Sequence, residues 1–215
     1  MPTSPKNLLV TGGAGFIGSN FVRLSIAEGH NVKVLDSMTY AGHMENLEGI
    51  KGAGKFEFYK GSITNKEIVS QILKEHKIDT LVNFAAESHV DRSIDGPSVF
   101  LETNIMGTYN LLDCTLAHFK SLNDTQKTNF RYLQISTDEV YGALGPEGKF
   151  SEATSYAPNS PYSASKASAD HLVRAWHHTF GLPTLTTNCS NNYGPYQFPE
   201  KLIPTIIRCA LADKP

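Results

Sequence analysis

An apolar strand, a glycine-spaced turn and an apolar helix follow one another at the start of this chain, and together they limit its fold more than any other stretch. Residues 7–11 read as a short buried strand. Gly12, Gly15 and Gly18 come next at three-residue spacing, and Phe16, Ile17, Phe21, Leu24 and Ile26 then mark a helix over 16–28 that Gly29 closes. A strand running through a tight turn into a helix is the opening of a βαβ unit.

The alternation persists. Further strands are expected at 32–35, ending at Asp36, and at 56–59, 80–85, 130–135 and 185–188. Helices are expected at 65–75, at 99–118 after Pro97, and at 160–180, with a helix-like run at 203–211 and a polar surface loop at 121–129. Strands separated by helices of this length pair in parallel through right-handed crossovers. The expected fold is therefore α/β, a doubly wound parallel sheet of Rossmann type, with ligands at the carboxyl ends of the strands. Residues 1–190 form the dinucleotide-binding domain with the catalytic residues, and 191–215 begin a substrate-binding region. The closing Lys214-Pro215 reads as the start of a connection, so a further C-terminal part is expected.

The chemistry gathers at those strand ends. Gly12 permits the tight turn, Gly15 lets the backbone approach a pyrophosphate, and Gly18 lets helix and strand pack. Amides at the helix start then hold the anion. Asp36 ends the second strand, where a carboxylate accepts from ribose hydroxyls and repels a 2′-phosphate, favouring NAD over NADP; a helix-cap or turn aspartate is its plain alternative. Ser62 and Ile63 follow the third strand, where adenine would lie, and a turn serine is as good a reading. Tyr162 and Lys166 stand at i and i+4 and share a helix face. A phenol near pKa 10 is a poor base at neutral pH, and a neighbouring ammonium favours its ionised form. Asp138 and Glu139 follow the fifth strand as an adjacent acid and base able to eliminate water; a solvated acidic turn is the alternative.

Composition closes off other classes. The 215 residues are 40% hydrophobic and 19% charged with net charge −2, and no long basic run offers a nucleic-acid surface or a polybasic membrane anchor. No run of about 18 apolar residues is present to span a membrane. The first residues lack the apolar core of a signal peptide, and Cys114, Cys189 and Cys209 lie far apart without a CxxC, which fits a reducing, cytoplasmic setting. His171, His177 and His178 share a helix without metal-ligand spacing and the other histidines are scattered, so no metal site is expected.

The GxxGxxG spacing with Tyr162-x-x-x-Lys166 resembles the extended short-chain dehydrogenase/reductase family. Longer stretches are narrower: 36–42 (DSMTYAG), 85–94 (AAESHVDRSI), 136–142 (STDEVYG) and 191–204 resemble the dTDP-glucose 4,6-dehydratase family over nearly the whole chain. That resemblance implies oxidation at C4 of a sugar, elimination across C5/C6 and hydride return to C6, on retained NAD. It implies that Thr137 bonds the sugar near O4, Tyr162 removes the 4-OH proton, Glu139 removes the C5 proton and Asp138 protonates the departing 6-hydroxyl. It places Ser37, Met38, Thr39, Phe84, Ala85, Ala86, Glu87, Ser88, Thr103 and Asn192 on the cofactor with Lys166 on the nicotinamide ribose. It places Ser88, Asn191, Lys201 and Leu202 on the nucleotide-sugar substrate. Ser62 stands where the family often has an acid for the adenine amino group. The resemblance also implies a homodimer, formed through a four-helix arrangement of the helices after Pro97 and Ser160. A nucleotide-sugar 4-epimerase, a UDP-glucose 4,6-dehydratase and an NAD-sensing binding protein remain alternatives; the epimerase has no need of Asp138 and Glu139.

Overall fold

Along the first strand, Leu8 and Val10 enter one hydrophobic cluster while Leu9, between them, enters another. A strand with period-two alternation and apolar residues on both faces must be covered on both sides, as a doubly wound sheet is. The computed structural model describes residues 4–214. It contains β1 (Asn7–Thr11), α1 (Phe16–Ala27), β2 (Asn31–Asp36), β3 (Phe56–Lys60), α2 (Lys66–Glu75), β4 (Thr80–Asn83), α3 (Val90–Asp95), α4 (Pro97–Phe100), α5 (Thr108–Ser121), α6 (Asp124–Asn129), β5 (Arg131–Thr137), α7 (Pro161–Phe180), β6 (Thr184–Cys189) and α8 (Leu202–Leu211). The six strands form one parallel sheet in the order β3-β2-β1-β4-β5-β6. The order reverses between β1 and β4, and the crevice at their carboxyl ends is where such folds bind ligands.

The local chemistry explains the helices. Asn65 caps α2 by accepting from the N–H groups of Glu67 and Ile68. Ser160 and Ser163 cap α7 reciprocally, Pro161 opens it, and Gly181 ends it at φ +70°. Gly29, at φ +89°, ends α1 as expected.

Four expectations need correction. β4 stops at Asn83, so residues 84–88 leave the sheet as a loop. The single long helix is interrupted: Leu101–Gly107 forms a π-helical segment between α4 and α5. There Gly107 packs so closely that a Cβ would lie 2.5 Å from Ile63 Cδ1. The polar stretch read as a loop contains α6, because Asn123 and Gln126 form a capping box. β5 runs to Thr137, two residues beyond its expected end.

One polar row crosses the sheet interior. Thr11, Asn83 and Gln134 are register partners on β1, β4 and β5. Thr11 Oγ1 donates to Asn83 Oδ1 at 2.6 Å, and Asn83 Nδ2 donates to Gln134 Oε1 at 2.9 Å. This is the last rung that the three strands share. Past it, Ile135, Ser136 and Thr137 keep β6 as a neighbour and have no β4 partner.

Candidate active site

A cavity of about 760 Å³ opens over the carboxyl ends of the strands. Its first wall is the turn after β1. Gly12 has φ +68°, and a Cβ there would lie 2.6 Å from the Ala85 nitrogen, so the turn and the loop after β4 meet backbone to backbone. Gly15 is the N-cap of α1 and no side chain caps that end. The first amides of the helix therefore lack intrahelical partners, and Gly15, Phe16, Ile17 and Gly18 line the cavity. Asp36 is buried at its edge and accepts from Ala14 N at 2.9 Å and Met38 N at 2.8 Å, one bond on each oxygen. Ser37, Thr39, Ser62 and Ile63 continue the wall beside it, and none of them is basic. Ser62 Oγ accepts from Thr64 N at 3.1 Å, so it also builds the turn after β3.

The loop 84–88 forms the middle of the cavity with Thr103 from the π-helical segment. Asn104 holds them together. It accepts from Glu87 N at 2.9 Å, donates to Glu87 O at 3.0 Å and donates to Ser165 Oγ on α7 at 2.8 Å. A buried asparagine inside a helix has no periodic signature, so sequence reasoning missed it. The π-helical turn, a frequent mark of functional sites, is visible only in the backbone.

The far wall carries Ser136, Thr137, Glu139, Tyr162 and Lys166. Thr137 caps a 3-10 turn over Asp138–Tyr141 by accepting from Glu139 N, and Gly142 leaves that turn at φ +91°. Tyr162 is placed at the start of α7, where its N–H donates to Ser93 Oγ at 3.2 Å. Burial raises its phenol to about 12, the negative charge of Glu139 adds to the rise, and the nearby Thr137 hydroxyl opposes it. Lys166 does not supply the expected lowering. Lys166 is buried and donates to Ile135 O at 2.6 Å, and desolvation lowers its own pKa. Burial raises Glu139 above the ordinary carboxylate range, Asp138 raises it further, and Lys201 pulls it back.

Two expected site residues lie off the wall. Asp138 is half-buried beside Thr137, whose hydroxyl donates to its Oδ1 at 3.5 Å, and does not line the cavity. Met38 contributes its N–H to Asp36, while its side chain packs on the cluster around Val34. Asn191, Asn192, Lys201 and Leu202 complete the rim. Tyr40, Phe198 and Glu200 join them: Phe198 stacks on His43 with ring centroids 5.6 Å apart, and Glu200 lies 3.3 Å from Arg92. Among the described residues, no cluster of His, Cys, Asp and Glu could hold a metal ion.

A parallel sheet in this order, a glycine turn at its switch point and a Tyr/Lys helix define the extended short-chain dehydrogenase/reductase class. The family model for GDP-mannose 4,6 dehydratase matches residues 9–215, and the chain belongs to that family. The dTDP-glucose 4,6-dehydratase of Xanthomonas campestris pv. campestris (strain B100) is 59% identical over 207 residues, 96% of this chain and 59% of that protein. The dTDP-glucose 4,6-dehydratase DesIV of Streptomyces venezuelae, solved with NAD bound, superposes with TM-score 0.87 at 46% identity, covering 96% of this chain and 62% of that one. The UDP-glucose 4-epimerase of Thermotoga maritima superposes with TM-score 0.84 at 28% identity, over 97% of this chain and 64% of that one. The chain thus spans about three fifths of the length of these relatives.

Proposed function

We propose that the protein catalyses NAD-dependent dehydration of dTDP-glucose to dTDP-4-keto-6-deoxyglucose, a hydro-lyase reaction that feeds deoxysugar synthesis. One observation carries the reading: a single cavity holds the glycine turn, Asp36, the Tyr162/Lys166 pair and Glu139. The similarity to dTDP-glucose 4,6-dehydratases supports it.

The residues present fit NAD. The glycine turn leaves no room for side chains between β1 and the loop after β4, and the uncapped end of α1 faces the cavity. Asp36 keeps a free lone pair on each oxygen, and its neighbours on the wall offer no cation to a 2′-phosphate. Gly12, Gly15, Phe16, Ile17, Gly18, Asp36, Ser37, Thr39, Ser62, Ile63, the loop 84–88, Thr103, Lys166 and Asn192 would hold it. Held there, NAD would supply reversible hydride transfer with C4 and C6 of the sugar.

The chain's own residues move the protons. Tyr162, once ionised to the phenolate, accepts the proton of the 4-hydroxyl, and Thr137 hydrogen-bonds O4 beside it. The new ketone acidifies C5–H, Glu139 removes that proton, and C5 is reprotonated when hydride returns to C6. A carboxylate whose pKa is raised by burial is the stronger base once ionised. Asp138 supplies the proton for the departing 6-hydroxyl, which requires its side chain to turn toward the cavity from its place beside Thr137. Ser88, Asn191, Lys201 and Leu202 bind the nucleotide sugar.

The protein acts, in this reading, as a homodimer. Leu101, Met106 and Tyr109 from the π-helical segment and α5, with Phe180 of α7, are large exposed apolar side chains available to a second copy. A monomer in light scattering of the purified protein would refute this. The three cysteines are free, which supports a reducing, cytoplasmic setting. No described helix is long and apolar enough to cross a membrane.

Mass spectrometry of dTDP-glucose and UDP-glucose incubated with the purified protein, without added NAD, tests the function. Loss of one water from the dTDP sugar alone is the expected result. Loss from the UDP sugar instead would reassign the base. Unchanged mass with galactose formed would establish the epimerase, and neither reaction would overturn the reading.

A further inference from the structure

The end of β5 carries the site and has sheet support on one side alone. β4 stops at Asn83, opposite Gln134, so Ile135, Ser136 and Thr137 run on beside β6. Two buried side chains from α7 reach this overhang. Lys166 donates to Ile135 O at 2.6 Å, and Asp170, one turn later, accepts from Ser136 Oγ at 2.6 Å. The same Asp170 oxygen accepts from Tyr156 OH at 3.1 Å. Asn188 of β6 donates to that hydroxyl at 3.4 Å and to Thr137 O at 3.2 Å. The bonds close a ring through Asp170, Ser136, Thr137, Asn188 and Tyr156 directly behind the cavity wall. Asp170 is 5% exposed and its second oxygen, Oδ1, is buried without a hydrogen-bond partner.

A carboxylate costs more to bury than the neutral amide that could make the same two bonds. Packing and hydrogen bonding alone would be served as well by asparagine. What the carboxylate adds is charge, and Lys166 is the cation one helical turn away on the same face.

We propose that Asp170 is a positioning residue of the site: it ties the overhanging end of β5 to α7 and is the counter-charge that keeps buried Lys166 cationic. Resting on the dehydratase reading, this assigns Lys166 a supporting partner that does not touch substrate. The direction of the effect follows from the surroundings. Burial lowers the Lys166 pKa and Asp170 opposes that fall, with Cys189 of β6 a smaller influence in the same direction. Asp170 in turn is raised by burial and lowered by Ser136, Lys166, Tyr156 and His171. Tyr132 of β5 and Tyr141 also face its charge. On its outer side Asp170 lines a second cavity of about 410 Å³ with Glu152, His171, Arg174 and His177. Removing the carboxylate therefore moves loss of the Lys166 proton to lower pH.

The test is a titration of the NAD-loaded chain labelled with 15N-lysine, followed by NMR, with the Lys166 signal assigned by its absence from Lys166→Arg. In Asp170→Asn the Lys166 midpoint should fall by about one pH unit. In Ser136→Ala, which removes a bond and no charge, it should stay in place. An unchanged midpoint in Asp170→Asn, or an equal fall in Ser136→Ala, overturns the proposal. With dTDP-glucose, the alkaline limb of NADH formation at 340 nm should move down with the midpoint, while KM stays within about twofold. A parent chain whose Lys166 midpoint responds to Asp170→Asn but that forms no NADH would refute the dehydratase reading and uphold the role of Asp170.

Discussion

The two ends of the cavity are built by different means. Around Gly12 the wall is main chain: a left-handed glycine, an uncapped helix end and a loop backbone in contact. Around Thr137 the wall is side chain: a threonine, a half-buried glutamate, a buried tyrosine and a buried lysine. Main-chain dipoles do not titrate, so the anion-holding turn and helix end keep their polarity over a wide pH range. The second end keeps its ionisable groups away from their ordinary values, and its chemistry follows pH. Binding and reaction can thus be damaged separately.

Mutations should expose that separation. The largest effect is expected in Tyr162→Phe, where turnover should drop by about 10² to 10⁴ with NAD content unchanged, because the general base alone is lost. Glu139→Gln should show a comparable loss, confined to the later step. NADH should still form in a single turnover while deuterium release from C5 stops. Release at the parent rate would remove Glu139 from the mechanism. Gly12→Ala should do the reverse. Its Cβ meets the Ala85 backbone at a positive φ, so stability should fall by about 2–4 kcal/mol and bound NAD should be lost, in denaturant titration and by absorbance of the extract.

Asn104→Ala sharpens the comparison, because Asn104 ties the loop 84–88, which meets Gly12, to α7, which carries Tyr162 and Lys166. It should cost about 1–3 kcal/mol by leaving the Glu87 backbone unpaired and removing one bond to Ser165 Oγ, and should weaken binding and turnover together. If either were spared, the two ends would be less coupled than these bonds suggest. The smallest effect is the stability of Glu139→Gln itself. The folded-state pKa of Glu139 is raised, so ionising it disfavours the fold, and the stability it contributes in acid is lost as pH rises through that raised value. The variant should exceed the parent by a few tenths of a kcal/mol at neutral pH, after allowance for solvent screening, and match it below about pH 4. Thermal melts at the two pH values check the sign.

The first end was the more legible in the sequence, and for a physical reason. Glycine spacing, the following helix period and Asp36 are all local, lying within one βαβ unit. At the second end, the spacing of Tyr162 and Lys166 correctly implied a shared face but not the competing acceptor, Ile135 O, which a separate strand supplies. Asp138 and Glu139 read together as an adjacent acid and base, and the turn after β5 puts only Glu139 of the two on the wall. Asn104 could not be found because its partners lie 17 and 61 positions away. α6 had a readable signal in Asn123 and Gln126, masked by the polar composition around it.

The row of Thr11, Asn83 and Gln134 works as a gauge. Apolar strands can trade one contact for another like it, whereas these three side chains recognise each other at one setting. Sliding β4 by a residue would break both bonds, sliding β1 or β5 would break one, and either slip would turn the moved strand's side chains to the opposite face. Gly12 follows one end of the row and Ile135 the other. The span between the two ends of the cavity is thereby calibrated from beneath, and the loops above can vary in sequence without changing it.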